Sequence, residues 1–308
     1  MHFKDYKSHF DFIKHRNIFF ILSSAVTVVG IVMLLLFNLH YGVDFKSGTS
    51  MDISLGKSIT VEQADQLFEE SGFVPAVRTI GGDAGDRVSA RFDDILSDPD
   101  KKTVTDVFVK AYGPQVSTEV NTVTPDMAKE LGKKALIAVA IASLGICLYV
   151  TIRFEWRFAL SAIVTILYDA FFVIAIFSIF RFEVDLPFVA AILTTIGYSI
   201  NDKIVILDRI RENIRFSKLR TEEDLADLVN KSIWQTMGRS INTVITVLVA
   251  ALCLFIFGSE SIKLFALAKI IGLVSGVYSS ICLATPMWFL LKRKSMKSRK
   301  VAVAAKQS

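Results

Sequence analysis

The chain has little cysteine with which to build covalent structure. Its three cysteines, Cys147, Cys253 and Cys282, all lie inside apolar runs, so no disulfide framework can be read and the compartment has to be inferred from topology. The G-x-x-x-x-G-K-[ST] phosphate loop, the H-E-x-x-H zinc pair and the G-x-S-x-G nucleophile elbow are all missing. Their absence excludes work driven by ATP bound to this chain and leaves no motif for a cofactor, a metal or an enzymatic step. No repeat of solenoid length recurs. The first apolar run is longer than a typical signal-peptide core and ends in "LFNLHYGVDF" without a small-x-small cleavage site, so it is expected to persist as a membrane helix.

Apolar surface is abundant: 52% of the 308 residues are hydrophobic, 24 of them Phe, and the mean hydropathy is +0.48. That is too much for one soluble domain of ordinary charge. Runs of about 18 to 25 apolar residues, enough to cross roughly 30 Å of hydrocarbon, fall at 18–39, 135–152, 158–179, 186–207, 233–257 and 264–291. Basic residues cluster in alternate connections. Lys4, Lys7, Lys14 and Arg16 lie at the N-terminal segment 1–17, Arg153 and Arg157 between spans two and three, and Arg209, Arg211, Arg215, Lys218, Arg220 and Lys231 in the 208–232 loop. Lys292, Arg293, Lys294, Lys297, Arg299 and Lys300 fill the 292–308 tail, whereas the opposite short loops hold only Arg181 and Lys263. By the positive-inside rule both termini are cytoplasmic in a multi-pass protein of the cell membrane, and the long loop after span one is outside. Topology thus accounts for the net charge of +5 and no nucleic-acid partner is expected; membrane lipid is, because the basic tail lacks apolar periodicity and reads as a disordered segment attracted to anionic headgroups.

Residues 40–134 are the one segment large enough for a separate domain. A strand "TSMDISLG" precedes "TVEQADQLFEESG", where Thr60 and Gln63 form a capping box and Val61, Ala64, Leu67 and Phe68 recur at helical spacing. "AVRTIGG" and "RVSARFDD", joined by "GGDAGD", read as a hairpin; a helix over 100–112 and the strand "QVSTEVNTV" follow. The order β-α-β-β-α-β is that of a ferredoxin-like α+β domain. The expected fold is therefore an all-α bundle of six transmembrane helices with a small ferredoxin-like extracytoplasmic domain between helices one and two. In the 208–232 loop, "TEEDLADLVNKSI" has the pattern of a short amphipathic helix along the membrane face, or of a plain connector.

A carboxylate at a helix centre costs roughly 2.5–3.5 kcal/mol, so the ionisable residues in the spans need a reason. Asp169 lies near the middle of span three, Asp202 in the inner third of span four and Arg239 in the inner third of span five. Spans four and five run antiparallel from one loop, with Asp202 and Arg239 each about six residues in, or roughly 9 Å. Equal depth predicts an ion pair. Thr194, Thr195, Tyr198, Asn201 and Asp202 on span four, and Arg239, Asn242, Thr243 and Thr246 on span five, form polar stripes that must face protein or water. The pair can be a structural staple or a site that gains and loses a proton; a static pair could be replaced by apolar packing at little loss, which favours function. Asp169 is either on an ion pathway or a buried hydrogen-bonded residue. Lys203 points about 100° from Asp202 and is expected to snorkel to the inner surface as an anchor. Lys269 has no reading from the sequence.

Three stretches resemble the SecD/SecF family of accessory proteins of bacterial Sec protein export. "YGVDFKSGT", carrying Gly42, Asp44, Phe45 and Gly48, resembles the G-[IV]-D-F-x-G-G-T just outside span one. "IGYSINDKIVILDRIREN" resembles the fourth-span signature, and "WQTMGRSINT" the entry to span five. The likeness covers nearly the whole chain; Ser47, commonly Gly, and Lys203, commonly Thr, depart from the pattern. The resemblance implies one six-span half of a resistance-nodulation-division assembly, without enzymatic activity. It implies a SecD-type partner subunit, the SecYEG channel and a translocating preprotein as partners, and proton or sodium flow through Asp202, balanced by Arg239, with Asp169 on the pathway. Two other readings stay open: half of a small-molecule or lipid exporter, which the roughly 95-residue external segment leaves little pocket for, and a scaffold that moves no ions.

Overall fold

Inside hydrocarbon a backbone must satisfy its own polar groups, so the six apolar runs become helices. The computed structural model describes residues 10–82, 85–217, 219 and 221–304. Helix α1 (Arg16–Phe37) leads into strand β1 (His40–Tyr41), the single turn α2 (Val43–Lys46) and strand β2 (Gly48–Ser54). Then come α3 (Val61–Ser71), β3 (Val77–Gly81), β4 (Arg87–Phe92), α4 (Asp98–Tyr112) and β5 (Ser117–Val123). The remaining elements are helices apart from β6 (Glu183–Val184): α5 (Pro125–Arg153), α6 (Trp156–Ile179), α7 (Leu186–Arg215), α8 (Glu222–Phe257), α9 (Glu260–Ser279), a π-helical turn (Ser280–Ala284) and α10 (Thr285–Ala304). Six of these segments are long and apolar enough to cross a membrane: α1, α5, α6, α7, α8 and the run 262–295.

The α/β domain is one antiparallel sheet in the order β3-β4-β2-β5. Strand alternation puts Met51 and Ile53 of β2 opposite Ala90 and Val88 of β4 on one face, where they pack with Phe68 of α3 and Phe108 of α4. The two Phe rings meet edge-on at 5.0 Å, a geometry worth about 0.5–1.5 kcal/mol beyond area. Both helices start on complete capping boxes, Thr60 with Gln63 and Ser97 with Asp100. The sheet's other face carries Ser50, Asp52 and Ser89 towards the bundle.

Two expectations are corrected in the helices. The segment from Glu222 is not a separate helix on the membrane face: Thr221 caps it, and it runs unbroken into the fifth span as the 36-residue α8. Buried Leu225, Leu228 and Val229 pack into the bundle core, so its amphipathic face is used against protein. The chain after Leu291 stays helical through Ala304 where an irregular tail was expected. Lys4, Lys7, Lys218 and Arg220, with the last four residues of the tail, lie outside the described residues. The sixth span runs on through the π turn as one helical segment, 262–295.

Candidate functional site

The charged centre of the bundle joins α6, α7 and α9. Asp169 projects from α6, Ser199 and Lys203 from α7 at i,i+4, and Ser275 and Ser279 from α9 at i,i+4, spacings that put each pair on one helix face. All five are buried, Asp169, Lys203 and Ser279 completely. The Lys203 ammonium donates to Asp169 Oδ2 at 2.8 Å, Ser199 Oγ at 2.5 Å and Ser279 Oγ at 2.8 Å, which uses all three of its donors. Asp169 Oδ2 also accepts from Ser199 (2.5 Å) and Ser279 (2.7 Å), and Oδ1 accepts from Ser275 (2.7 Å). Small residues make this closeness possible: a Cβ on Gly272 would land inside the Thr195 side chain, and Gly276 lies over Ser199. The π turn begins at the residue after Ser279, a distortion that recurs at functional sites.

Lys203 is thus no surface anchor. Its direction, a third of a turn from Asp202, points between α6 and α9, and a carboxylate with three hydroxyls offers there what snorkelling would have sought in water. Asp169 is held in this network as its partner. The signal was present in sequence as a carboxylate in span three and paired hydroxyls at Ser275 and Ser279, but only packing reveals that they share one point.

Asp202 lies beside this centre, 5% exposed. It borders a cavity of about 10 Å³ shared with Tyr198, Ser199, Thr243 and Gly272, room for about one water. Ser199 therefore touches both the cavity and the Asp169 network. The expected pair with Arg239 does not form: among the described residues no ion pair joins Asp202 to Arg239, because Asp202 turns into the bundle while Arg239 stands exposed on the outer face of α8. Asn201 and Asn242 are exposed as well. Thr195 is buried with its Oγ1 unpartnered, and Ser240 Oγ, near Asp202, likewise lies outside hydrogen-bond geometry. Lys269 acquires an account: its Nζ sits 5.4 Å from the Tyr198 ring centroid and 5.9 Å from that of Phe265, distances at which a ring face attracts a cation.

The "YGVDFKSGT" stretch ties the α/β domain to the bundle. β1 pairs in parallel with β6, Gly42 N–H donates to Val184 O at 2.9 Å, and Phe45 reaches the α5 backbone at Gly132. Asp44 accepts from Leu186 N–H (3.0 Å) and Asn121 Nδ2 (3.3 Å), so it supplements Asp185, which accepts from Phe188 N–H at 2.8 Å, in capping α7. Ser47 takes the left-handed φ of 71°, which a glycine would meet without strain, and a Cβ on Gly48 would strike Phe92 O. Arg91 of β4, its side chain 8% exposed, donates to Glu183 (2.9 Å), Asp93 (3.0 Å) and Tyr41 O (3.1 Å). Burial, with the Asp44 and Glu183 carboxylates nearby, pushes the Asp185 carboxyl up to about 6. Sequence reasoning did not single out Arg91, Glu183 or Asp185. Between sheet and bundle lies a cleft of about 660 Å³, bordered by Asp44, Asp52, Arg91, Glu119 and Glu183. It is roomier than the domain's length suggested, because the bundle supplies one wall.

A bundle with a salt-bridged centre, strapped at one end to an α/β domain, defines a multi-pass membrane protein whose core carries charge. Comparison with known proteins identifies the family. Residues 103–294 match the family model described as "Protein export membrane protein SecD/SecF, C-terminal". The chain is 47% identical over 290 residues to the protein translocase subunit SecDF of Bacillus subtilis, covering 93% of this chain and 39% of that protein. It is 43% identical to the protein translocase subunit SecF of Alicyclobacillus acidocaldarius, covering 94% and 96%. Among solved structures, SecDF of Thermus thermophilus, titled a translocon-associated membrane protein, superposes with a TM-score of 0.81 at 29% identity over 95% of this chain and 40% of that one. The chain belongs to the SecD/SecF family, as its three motifs implied; it spans about two fifths of the SecDF proteins and nearly all of a SecF.

Proposed function

We propose that this chain is the SecF-type half of an ion-driven accessory complex of Sec protein export, working with a SecD-type subunit beside the SecYEG channel. In this reading both termini are cytoplasmic and the ferredoxin-like domain, supported by its βαββαβ order and antiparallel sheet, lies outside, where it handles the emerging preprotein. The observation that carries the reading is Asp202, a buried carboxylate on a water-sized cavity whose wall, Ser199, is hydrogen-bonded to Asp169. Asp202 takes and releases the ion, proton or sodium, and the Asp169–Lys203 pair holds the neighbouring charge fixed. One unit charge crossing 100 mV releases about 2.3 kcal/mol, on the scale of the 1–3 kcal/mol typical of coupling between sites.

Need for a partner is argued by the exposed polar residues Arg239, Asn242 and Thr246 on α8 and Asn201 on α7. Polar side chains at membrane depth must be covered by protein or water, and a second six-span half would cover them. The link from span to domain is Asp44 on the α7 N-terminus: movement of the helix that carries Asp202 pulls on the sheet.

Secretion of a signal-bearing reporter tests this in cells carrying Asp202→Asn at normal protein level. Export should fall severalfold, to the level of cells whose potential and pH gradient are both collapsed; unimpaired export overturns the reading. Persistence of the chain's contribution without any gradient would mean a scaffold, and accumulation of a lipid or drug with secretion intact would mean an exporter.

A further inference from the structure

Lys203 has more acceptors converging on it than neutralising Asp169 alone would require. Three oxygens surround Nζ at 2.5–2.8 Å. A fourth, Ser275 Oγ, closes the other side of the carboxylate, and all of these side chains are buried. The donor set around Nζ is one carboxylate oxygen and two hydroxyls, with Ser275 holding the second carboxylate oxygen: hard, oxygen-only and of net charge −1, the chemistry that suits a hard cation. We infer that Asp169, Ser199 and Ser279, with Ser275 holding the carboxylate from its other oxygen, form a monovalent-cation site that this chain fills with its own Lys203 ammonium, and that shortening Lys203 opens it to an alkali-metal ion.

Charge balance makes the consequence unavoidable. With the ammonium gone, a carboxylate stands in a dry interior, and an isolated buried charge is not tolerated. Either a proton or a cation must neutralise it. A proton needs one oxygen; the Ser199 and Ser279 hydroxyls and Asp169 Oδ2, already aimed at the vacated point, give a metal ion the start of a shell. The path in runs past Ser199, which also lines the water-sized cavity at Asp202. In the native chain the tether keeps this position occupied whatever the salt, so alkali ions are excluded from the Asp169 centre. The inference concerns binding alone, and its test has no secretion readout, so it stands or falls separately from the export reading.

The test is the melting temperature of the purified full chain in detergent, measured in sodium, potassium or choline chloride at one ionic strength and at two pH values. Native protein sets the baseline, including any sodium response at Asp202, and the response read is what each variant gains over it. Lys203→Ala should melt several degrees higher in sodium or potassium than in choline, saturably, and the response should vanish in the Asp169→Asn/Lys203→Ala double variant. Lys203→Thr, which adds a hydroxyl, guards against a variant too damaged to fold. A variant that folds only with alkali salt supports the site, and failure of both to fold in any salt overturns it. Identical melting in the three salts, dependence on pH alone, or an equal alkali response of the native chain also overturns it.

Discussion

Replacing Asp169 with Leu tests how much of the bundle's stability hangs on one carboxylate. Four hydrogen bonds end on it, three on Oδ2 and one on Oδ1. The hydroxyls can be re-satisfied locally, since Ser279 already has Gly276 O at 3.2 Å and serines in helices bond readily to the carbonyl four residues back. Lys203 has less recourse: it is fully buried, Ser199 and Ser279 offer it no charge, and the other carboxylate acting on it, Asp202, makes no ion pair with it among the described residues. Stranding one member of a buried pair costs about 3–5 kcal/mol, whereas replacing both by apolar groups is often neutral. Asp169→Leu and Lys203→Met should therefore each destabilise by about 3–5 kcal/mol, and the double variant should recover to within about 1 kcal/mol of the native chain. The assay is equilibrium unfolding in mixed micelles, in choline chloride so that no alkali ion refills the cage. A double variant as unstable as the sum of the singles, or a single costing under about 1 kcal/mol, would refute the reasoning.

Asp185 predicts a pH signature. Its carboxyl is raised from an ordinary 3.8 to about 6, so the folded state favours the protonated form. Its contribution to stability is full below about pH 4 and lost as pH rises through about 6. Thermal melts should show the native chain gaining stability from pH 7 to 5 relative to Asp185→Asn, which keeps the cap but cannot ionise; parallel pH profiles would contradict this. Arg91→Ala should loosen the strap, since it strands Glu183 and frees Tyr41 O. Hydrogen exchange should quicken by about tenfold or more at β1 and β6, from a loss of roughly 1.5–3 kcal/mol, with the centre of α6 unchanged.

The spans, the first capping box and the strand order of the α/β domain were legible because each rests on short-range chemistry: hydropathy over a helix length, Thr60 with Gln63, alternation along β2. Asp202 and Asp169 stood out for the same reason, a charge where composition allows none. The pairing was not legible. Depth along two helices put Asp202 level with Arg239, but rotation about the helix axis decides contact, and that is set by which faces carry Gly272, Gly276 and the serines. Lys203 was misassigned because its neighbour in sequence was weighed instead of its neighbours across α6 and α9. Glu222 to Lys231 looked like a separate helix since nothing local shows that α8 never stops. The Arg91 strap joins residues 92 apart in the chain and left no pattern to read.

The π turn at Ser280–Ala284 places a defect of helical register in the sixth span. Such a turn holds one surplus residue against the α-helical count, and sliding it one turn towards the N-terminus rotates the intervening side chains by about 100° while most backbone bonds are simply re-made. Ser279, on that stretch, would leave Asp169 Oδ2, while Ser275, beyond it, would keep its bond to Oδ1. A register shift in this helix would thus loosen one hydroxyl of the cage while the span stayed helical.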